Sequence, residues 1–215
     1  MSTEQVRRWQ GDFGKDYTDR NPQSVEALDE LYEKSFGVRR SELNQQFLGD
    51  LDRDIAILEV GSNVGAQLMA LQQMGFSNLT GVEIQHYAIE RARTFLQNTT
   101  FLQANVFNLP FPNKSFDLVY TSGVLIHICP TDIRRALSEI HRCSRRFIWG
   151  WEYFADNYTE IPYHGRDAMM WKTNFAKLYT DRFQDLSLVK EKRIPYVDSD
   201  NVDAMFLLEK KGSSI

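Results

Sequence analysis

The stretch LEVGSNVG, residues 58–65, ends an apolar run on a carboxylate and follows it with two glycines flanking Ser62, Asn63 and Val64. Read back to Asp54, the run is DIAILEV, a short continuous apolar segment of the kind buried on both faces in a parallel sheet. Read forward, AQLMALQQMG has the texture of a helix, ended by Gly75. The unit is therefore strand, glycine turn, helix. Glycines at such a turn let a backbone approach a ligand closely, and the helix it opens offers amides to negative groups.

Outward from this unit the same alternation repeats. NLTGVEI, TFLQANV, SFDLVYTSG and RRFIWGWEYF read as strands; HYAIERARTFLQN, TDIRRALSEIHRCS and TNFAKLYTDRF read as helices. Before residue 50 the chain is helical, with SVEALDELYEKSF capped by Ser24 and RRSELNQQFLGDL repeating the pattern. LSLVKEKRIPYV and VDAMFLLEKKG close the chain with no room for a helical crossover between them, so they are antiparallel neighbours. The residues between 154 and 172 read as an irregular, aromatic stretch. The expected class is α/β: one Rossmann-like domain with a mostly parallel seven-stranded sheet, an antiparallel final strand pair and a helical N-terminal lid. Residues 1–50 form the lid or cap and 51–215 the ligand-binding domain, as one structural unit.

Composition narrows the partners. The 215 residues carry a net charge of -4, with 42% hydrophobic and 25% charged residues, an ordinary globular balance. There is no basic excess for nucleic acid. No apolar run approaches the roughly 18 residues of a membrane span, and the first residues lack the apolar core of a secretory signal. Cys129 and Cys143 show no metal-binding spacing and read as reduced thiols, so no metal is expected and the expected location is cytoplasmic. The expected partner is a small-molecule acceptor, with no nucleic acid and no membrane.

Three features of the glycine turn decide against a dinucleotide. The pattern is E-x-G-x-N-x-G rather than G-x-G-x-x-G. Glu59 places an acid at the seat, poor for a pyrophosphate and suited to a cationic or zwitterionic group. Glu83 ends the next strand at about the 20-residue offset of an acid that accepts from ribose hydroxyls. Together these describe S-adenosylmethionine, with S-adenosylhomocysteine as the product. Gly61, Asn63 and Gly65 form the turn; Asn105 offers the adenine an edge, and Ile84 with Val106 its faces. Thr121 completes the set at the end of the fourth strand. A dehydrogenase fails on the glycine pattern. A non-catalytic scaffold would have no use for Glu59, Gly61, Glu83 and Asn105.

ILEVGSNVG, LTGVEI and LPFPNKSFDLVYTSGVLIHI resemble the class I S-adenosylmethionine-dependent methyltransferases over roughly residues 54–153. A narrower resemblance runs over nearly the whole chain. WQGDFGKDYTDRN, the Asn63 turn, SGVLIHICP and EYFADNYTEIPYHGRDAMMWKTNFA are similar to the pseudaminic-acid-biosynthesis-associated methylases. That resemblance implies methyl transfer to a small biosynthetic intermediate. Gln85, after the ribose acid, and His164-Gly165-Arg166, before DAMMWK, depart from the family pattern.

Methyl transfer from a sulfonium is an in-line displacement, so alignment is most of the work, and an amine acceptor must lose a proton. His127, after the fourth strand, is the first candidate for a base or an acceptor ligand, with Gly123 beside it. Trp151, Glu152, Tyr153, Asp156, Tyr158, Tyr163 and His164 combine aromatic faces and carboxylates, a set suited to a cationic acceptor, with Glu152 as the second catalytic candidate. The N-terminal Trp9, Phe13, Tyr17, Arg20 and Asn21 read as a lid. Tyr17 would reach the methionyl part and the acceptor, Arg20 or Arg40 the methionyl carboxylate, and Asn21 the acceptor. The expected reaction is N-methylation of an amine or guanidine, with an amino-sugar intermediate as the alternative.

Overall fold

The chain divides into two units, one ending at Asn108 and the other beginning at Leu109. The computed structural model describes residues 4–163 and 166–212, and only the backbone at 163 and 166–168. His164, expected at the acceptor site, lies outside the described residues.

The first unit opens with four helices, α1 (Glu4–Gln10), α2 (Asp12–Arg20), α3 (Val25–Phe36) and α4 (Arg40–Leu48). Ser24 caps α3 as its sequence position implies, its hydroxyl accepting from the Ala27 amide at 3.1 Å. Gly37, left-handed at φ 67°, ends that helix. Then β1 (Ile57–Val60), α5 (Ala66–Gln73), β2 (Leu79–Glu83), α6 (His86–Phe95) and β3 (Thr100–Gln103) alternate. The strands lie parallel in the order β3-β2-β1. Every residue of β1 and β2 is buried, as in parallel strands covered on both faces. β3 is at the edge and short, with only Phe101 of its four residues buried.

The second unit holds β4 (Phe116–Ser122), a 3-10 turn (Leu125–His127), α7 (Ile133–Cys143), β5 (Ser144–Tyr153), β6 (Thr159–Tyr163), β7 (Arg166–Lys172), α8 (Phe175–Arg182), β8 (Leu186–Pro195) and β9 (Val202–Lys210). β4 and β5 are parallel, and β9 is antiparallel to both β5 and β8, in the order β4-β5-β9-β8. The seven strands and their antiparallel closing pair match the expected class. α7 buries Ile133, Ala136, Leu137, Ile140 and Cys143, one face at helical spacing.

The stretch expected to be irregular contains an antiparallel hairpin, β6–β7. Its second strand buries Met169, Met170 and Trp171 in succession, so it shows no alternation to reveal it as a half-buried strand. Among the described residues no helix is long and apolar enough to cross a membrane.

Candidate functional site

The glycine turn of the first unit has three left-handed residues in five: Gly61 at φ 79°, Asn63 at φ 45° and Gly65 at φ 79°. The amides of Gly61 and Ser62 both donate to the Val82 carbonyl, at 2.8 and 3.0 Å, which folds the turn back onto β2. Asn63 holds its unusual backbone with its own side chain, Oδ1 accepting from the Val64 amide at 2.8 Å. At Gly65 a side chain would strike Leu96 at 2.8 Å and Phe101 at 3.2 Å. Glycine is thus demanded there by conformation and packing rather than by ligand approach.

Glu83 is the centre of this arrangement. Its Oε2 accepts from the Asn63 amide at 2.9 Å, and its Oε1 from the amides of Ile84 and Gln85 at 2.7 and 2.9 Å. Burial raises its pKa, opposed by these three amides. A carboxylate offers about four lone-pair sites, so three amides leave roughly one, on Oε2, for a further donor. That supports a grip on one ribose hydroxyl more readily than the expected pair. Glu59 is buried at the end of β1, in register with Gly81. Asn105 spends Oδ1 on the Phe107 amide at 3.0 Å, so its Nδ2 is the edge it has to offer. Ile84 and Val106 are half-buried.

The N-terminal helices are fastened to this turn. Asn63 Nδ2 donates to Thr18 Oγ1 at 3.1 Å, and that hydroxyl donates to the Gly14 carbonyl at 2.8 Å. Gln85 Nε2 lies within 3.0–3.4 Å of three successive carbonyls, those of Trp9, Gln10 and Gly11. Trp9 meets Phe13 and Tyr17 edge-on, each at 5.1 Å between centroids. Asn21, expected at the acceptor, donates to the Tyr17 carbonyl at 3.3 Å. Arg20 is exposed. Arg40, by contrast, is interior: it donates to Tyr32 Oη at 2.6 Å and to Asn44 Oδ1 at 3.0 Å. Asn44 Oδ1 also accepts from Gln67 at the start of α5, at 3.0 Å. Thr18, Asn44 and Gln67 went unread in the sequence. Gln85 stood out there as a departure from a family pattern, and its position beside Glu83 is the signal that could have found it.

In the second unit the acceptor-side candidates have partners within the fold. Trp151 is not at a rim: it is 4% exposed, and its indole N–H donates to Asp203 Oδ2 at 2.6 Å. Glu152 is 1% exposed, accepting from the amides of Val124 and Ile126 at 3.3 Å each. Thr121, expected at the cofactor, is buried and gives its hydroxyl to Glu152. Tyr153 is half-buried and stacks on Tyr196 at 5.5 Å. Tyr163 is described by its backbone alone, in β6. Gly123, left-handed at φ 67°, has open space where a side chain would lie.

His127 is half-buried, and its Nδ1 lies 3.1 Å from the Met169 carbonyl. A carbonyl only accepts, so Nδ1 carries the proton and Nε2 the lone pair. Burial lowers its pKa to about 4, with the Met169 bond opposing, and raises that of Glu152 to about 7 against its hydrogen bonds. A neutral imidazole of that basicity is a weak proton acceptor near neutrality and a sound hydrogen-bond acceptor. Among the described residues no group of three or more His, Cys, Asp or Glu could hold a metal.

Residues 58–146 match the model of the methyltransferase domain family. O-methyltransferase rstn1 of Aspergillus nomiae is 29% identical over 57% of this chain and 52% of its own length. A sterol 24-C-methyltransferase of Gibberella zeae is 28% identical over 40% of this chain and 24% of its own. The chain thus spans about half the length of one relative and a quarter of the other. In structure, it resembles the Burkholderia thailandensis 1,6-didemethyltoxoflavin-N1-methyltransferase, solved with 1,6-didemethyltoxoflavin and S-adenosylhomocysteine bound. That likeness has a TM-score of 0.71 at 17% identity and covers 98% of this chain and 90% of the other, a likeness of fold.

Proposed function

We propose that this protein is an S-adenosylmethionine-dependent methyltransferase acting on a small polar metabolite in a specialised biosynthetic pathway of the cytoplasm. The observation that carries the reading is the joint between the glycine turn and Glu83, inside the stretch that matches the methyltransferase domain. The seat fits the cofactor by its donor set. Glu83 keeps acceptor capacity for a ribose hydroxyl, Asn105 Nδ2 is a donor for an adenine ring nitrogen, and Ile84 and Val106 are apolar and half-buried. Glu59 supplies the negative charge that suits an ammonium. Bound there, the cofactor supplies an activated methyl on a sulfonium, and the chain's contribution is to seat and align it.

The structural neighbour with bound S-adenosylhomocysteine, itself an N-methyltransferase by name, supports this cofactor and agrees with transfer to nitrogen. We read the acceptor as an amine or guanidine-bearing compound. An amino-sugar intermediate is the second reading, favoured by the resemblance to the pseudaminic-acid-associated methylases. His127 is the acceptor-side residue this reading retains, as a hydrogen-bond acceptor. The test is calorimetry with S-adenosylhomocysteine, followed by a mass-spectrometric search for a gain of one methyl across a panel of amines, guanidines and amino sugars. Absence of S-adenosylhomocysteine binding would sink the reading; a methylated sugar with no methylated amine would select the second acceptor class.

A further inference from the structure

Asn63 and Gln85 both hold Glu83, and each works in two directions at once. The backbone amide of Asn63 donates to Glu83 Oε2 at 2.9 Å, and that of Gln85 to Oε1 at 2.9 Å. Their side-chain amides turn the other way, toward the N-terminal helices. Asn63 Nδ2 donates to the Thr18 hydroxyl at 3.1 Å, and Gln85 Nε2 faces the carbonyls of Trp9, Gln10 and Gly11 at 3.4, 3.1 and 3.0 Å. What they meet dictates their orientation. Asn63 Oδ1 accepts from the Val64 amide at 2.8 Å and Gln85 Oε1 from the Tyr87 amide at 3.3 Å, groups that only donate. The donor ends are therefore the ones left for α1 and α2. Thr18 is fully buried and passes its own proton to the Gly14 carbonyl at 2.8 Å. Gly14 leaves no slack on that side, since a Cβ there would strike the Trp9 carbonyl and lie 3.3 Å from Gln85 Nε2.

We infer that Asn63 and Gln85 are positioning residues that couple the docking of the α1–α2 segment to occupancy of the cofactor seat at Glu83. The coupling rests on the methyl-transfer reading, in which Glu83 takes a ribose hydroxyl. With the segment docked, each side chain is tied at its far end, and the backbone amide of the same residue is fixed against Glu83. With the segment undocked, Nδ2 and Nε2 give up those ties, both residues regain conformational freedom, and the carboxylate loses its aim at the hydroxyl. A ligand that binds the docked state better stabilises docking by the same factor. The segment is thus a strap that the cofactor closes. A segment that only packs on the surface would add stability and leave affinity alone.

Two measurements on the full chain test this: limited proteolysis within residues 4–20 with and without saturating S-adenosylhomocysteine, and calorimetry with the same ligand. In the wild type we expect the ligand to slow cleavage in that segment about fivefold or more, the lower end of ordinary coupling between sites. Cleavage in the rest of the chain is the control for global stability. In Gln85→Ala and Gly14→Ala we expect affinity weaker by a similar factor, although neither substitution removes a group that bonds Glu83. Protection of residues 4–20 by the ligand should also fall in both. Bound ligand with unchanged wild-type cleavage of residues 4–20, or wild-type affinity in either variant, overturns the inference. So does equal protection in wild type and Gln85→Ala, which would mean that the ligand merely covers the segment. If Gly14→Ala does not fold, Thr18→Val, which removes the acceptor of Asn63 Nδ2, takes its place with the same expectations. A wild type that binds no S-adenosylhomocysteine removes the methyl-transfer reading and the coupling with it, whereas binding without protection removes the coupling alone.

Discussion

The amide of Asn63 donates to Oε2 of Glu83 across 2.9 Å, joining the turn after β1 to the acid that ends β2. Two residues twenty apart in sequence thus become one construction. The same carboxylate orders the entry to α6 through the amides of Ile84 and Gln85. Removing it should therefore do two things at once. Glu83→Ala loses a charged acceptor for the ribose, worth roughly 1.5–3 kcal/mol. It also strands three amides that the carboxylate now satisfies. We expect S-adenosylhomocysteine affinity at least tenfold weaker by calorimetry, together with a lower melting temperature. Wild-type affinity in this variant would take Glu83 out of the seat.

Asn63 also reaches back, donating from Nδ2 to Thr18 at 3.1 Å. A hydrogen bond between two neutral, part-buried side chains is worth about 1 kcal/mol net. A double-mutant cycle of Asn63→Gly with Thr18→Val should return a coupling of that size in urea unfolding. Glycine is the right replacement because it accepts φ 45° without strain, whereas alanine would add a backbone cost to the side-chain loss. Additive single effects would show that the contact does not fasten α2 to the turn.

Much of the fold was legible because its central strands are buried on both faces and its turns use glycine where the backbone is left-handed. β1 announced itself as an apolar run, and β2, β4 and β5 as strands alternating with helices. The β6–β7 hairpin did not, since Met169, Met170 and Trp171 are buried in a row and erase the two-residue period. The proposed cofactor seat was named by residue type, and of its members Glu83 and Asn63 meet in the structure. What sequence could not supply was direction. Glu152 and Trp151 are adjacent, aromatic and acidic, and read as a pocket lining. Yet alternation along β5 sends them to opposite faces, Trp151 to Asp203 on β9 and Glu152 to the turn at Val124. Partners that distant in sequence leave no local signature. The same holds for Gln85, whose three acceptors lie some 75 residues upstream.

Gly65 carries the least ambiguous steric argument. Alanine there would take a left-handed conformation at φ 79° and place Cβ 2.8 Å from Leu96. The conformational part costs about 1–2 kcal/mol and the overpacking typically another 1–3. Gly65→Ala should lower unfolding free energy by at least roughly 2 kcal/mol in urea. A loss under 1 kcal/mol would mean that Leu96 and Phe101 yield easily. Gly123→Ala is the contrast: the same left-handed backbone with open space around it, and hence only the conformational part.

Gln85 fastens the α1–α2 segment by one side-chain amide facing three carbonyls. Gln85→Ala should release that segment locally, because the other ties, Thr18 to Asn63 and Asp19 to Tyr87 at 2.7 Å, lie further along α2. Limited proteolysis should cut the variant faster within residues 4–20 while the rest of the chain resists. Equal cleavage rates in the two proteins would assign the fastening to the aromatic contacts of Trp9 instead.

Glu152 and His127 make opposite contributions to the pH dependence of stability. Burial raises the Glu152 carboxyl from 4.5 to about 7. The folded protein holds that proton more tightly than the unfolded chain, so the stabilisation is full below pH 4.5 and is lost as pH rises through about 7. Burial lowers His127 from 6.5 to about 4. Its contribution is full above pH 6.5 and is lost as pH falls through about 4. Each shift corresponds to roughly 3 kcal/mol. Between pH 4.5 and 6.5 the two slopes oppose and largely cancel in the wild type. Either variant unmasks the other group. Relative to wild type, Glu152→Gln should gain stability as pH rises across this window, and His127→Gln should lose it. Shifts elsewhere, at Glu83, Glu139 and His141, are common to all three proteins and drop out of the differences. Tyr179, the buried phenol that feels the Glu152 charge, is held well above its ordinary range and does not titrate here. Urea unfolding at pH 4.5, 5.5 and 6.5 reads the two slopes directly. Profiles parallel to wild type in both variants would show that neither group is perturbed by its burial.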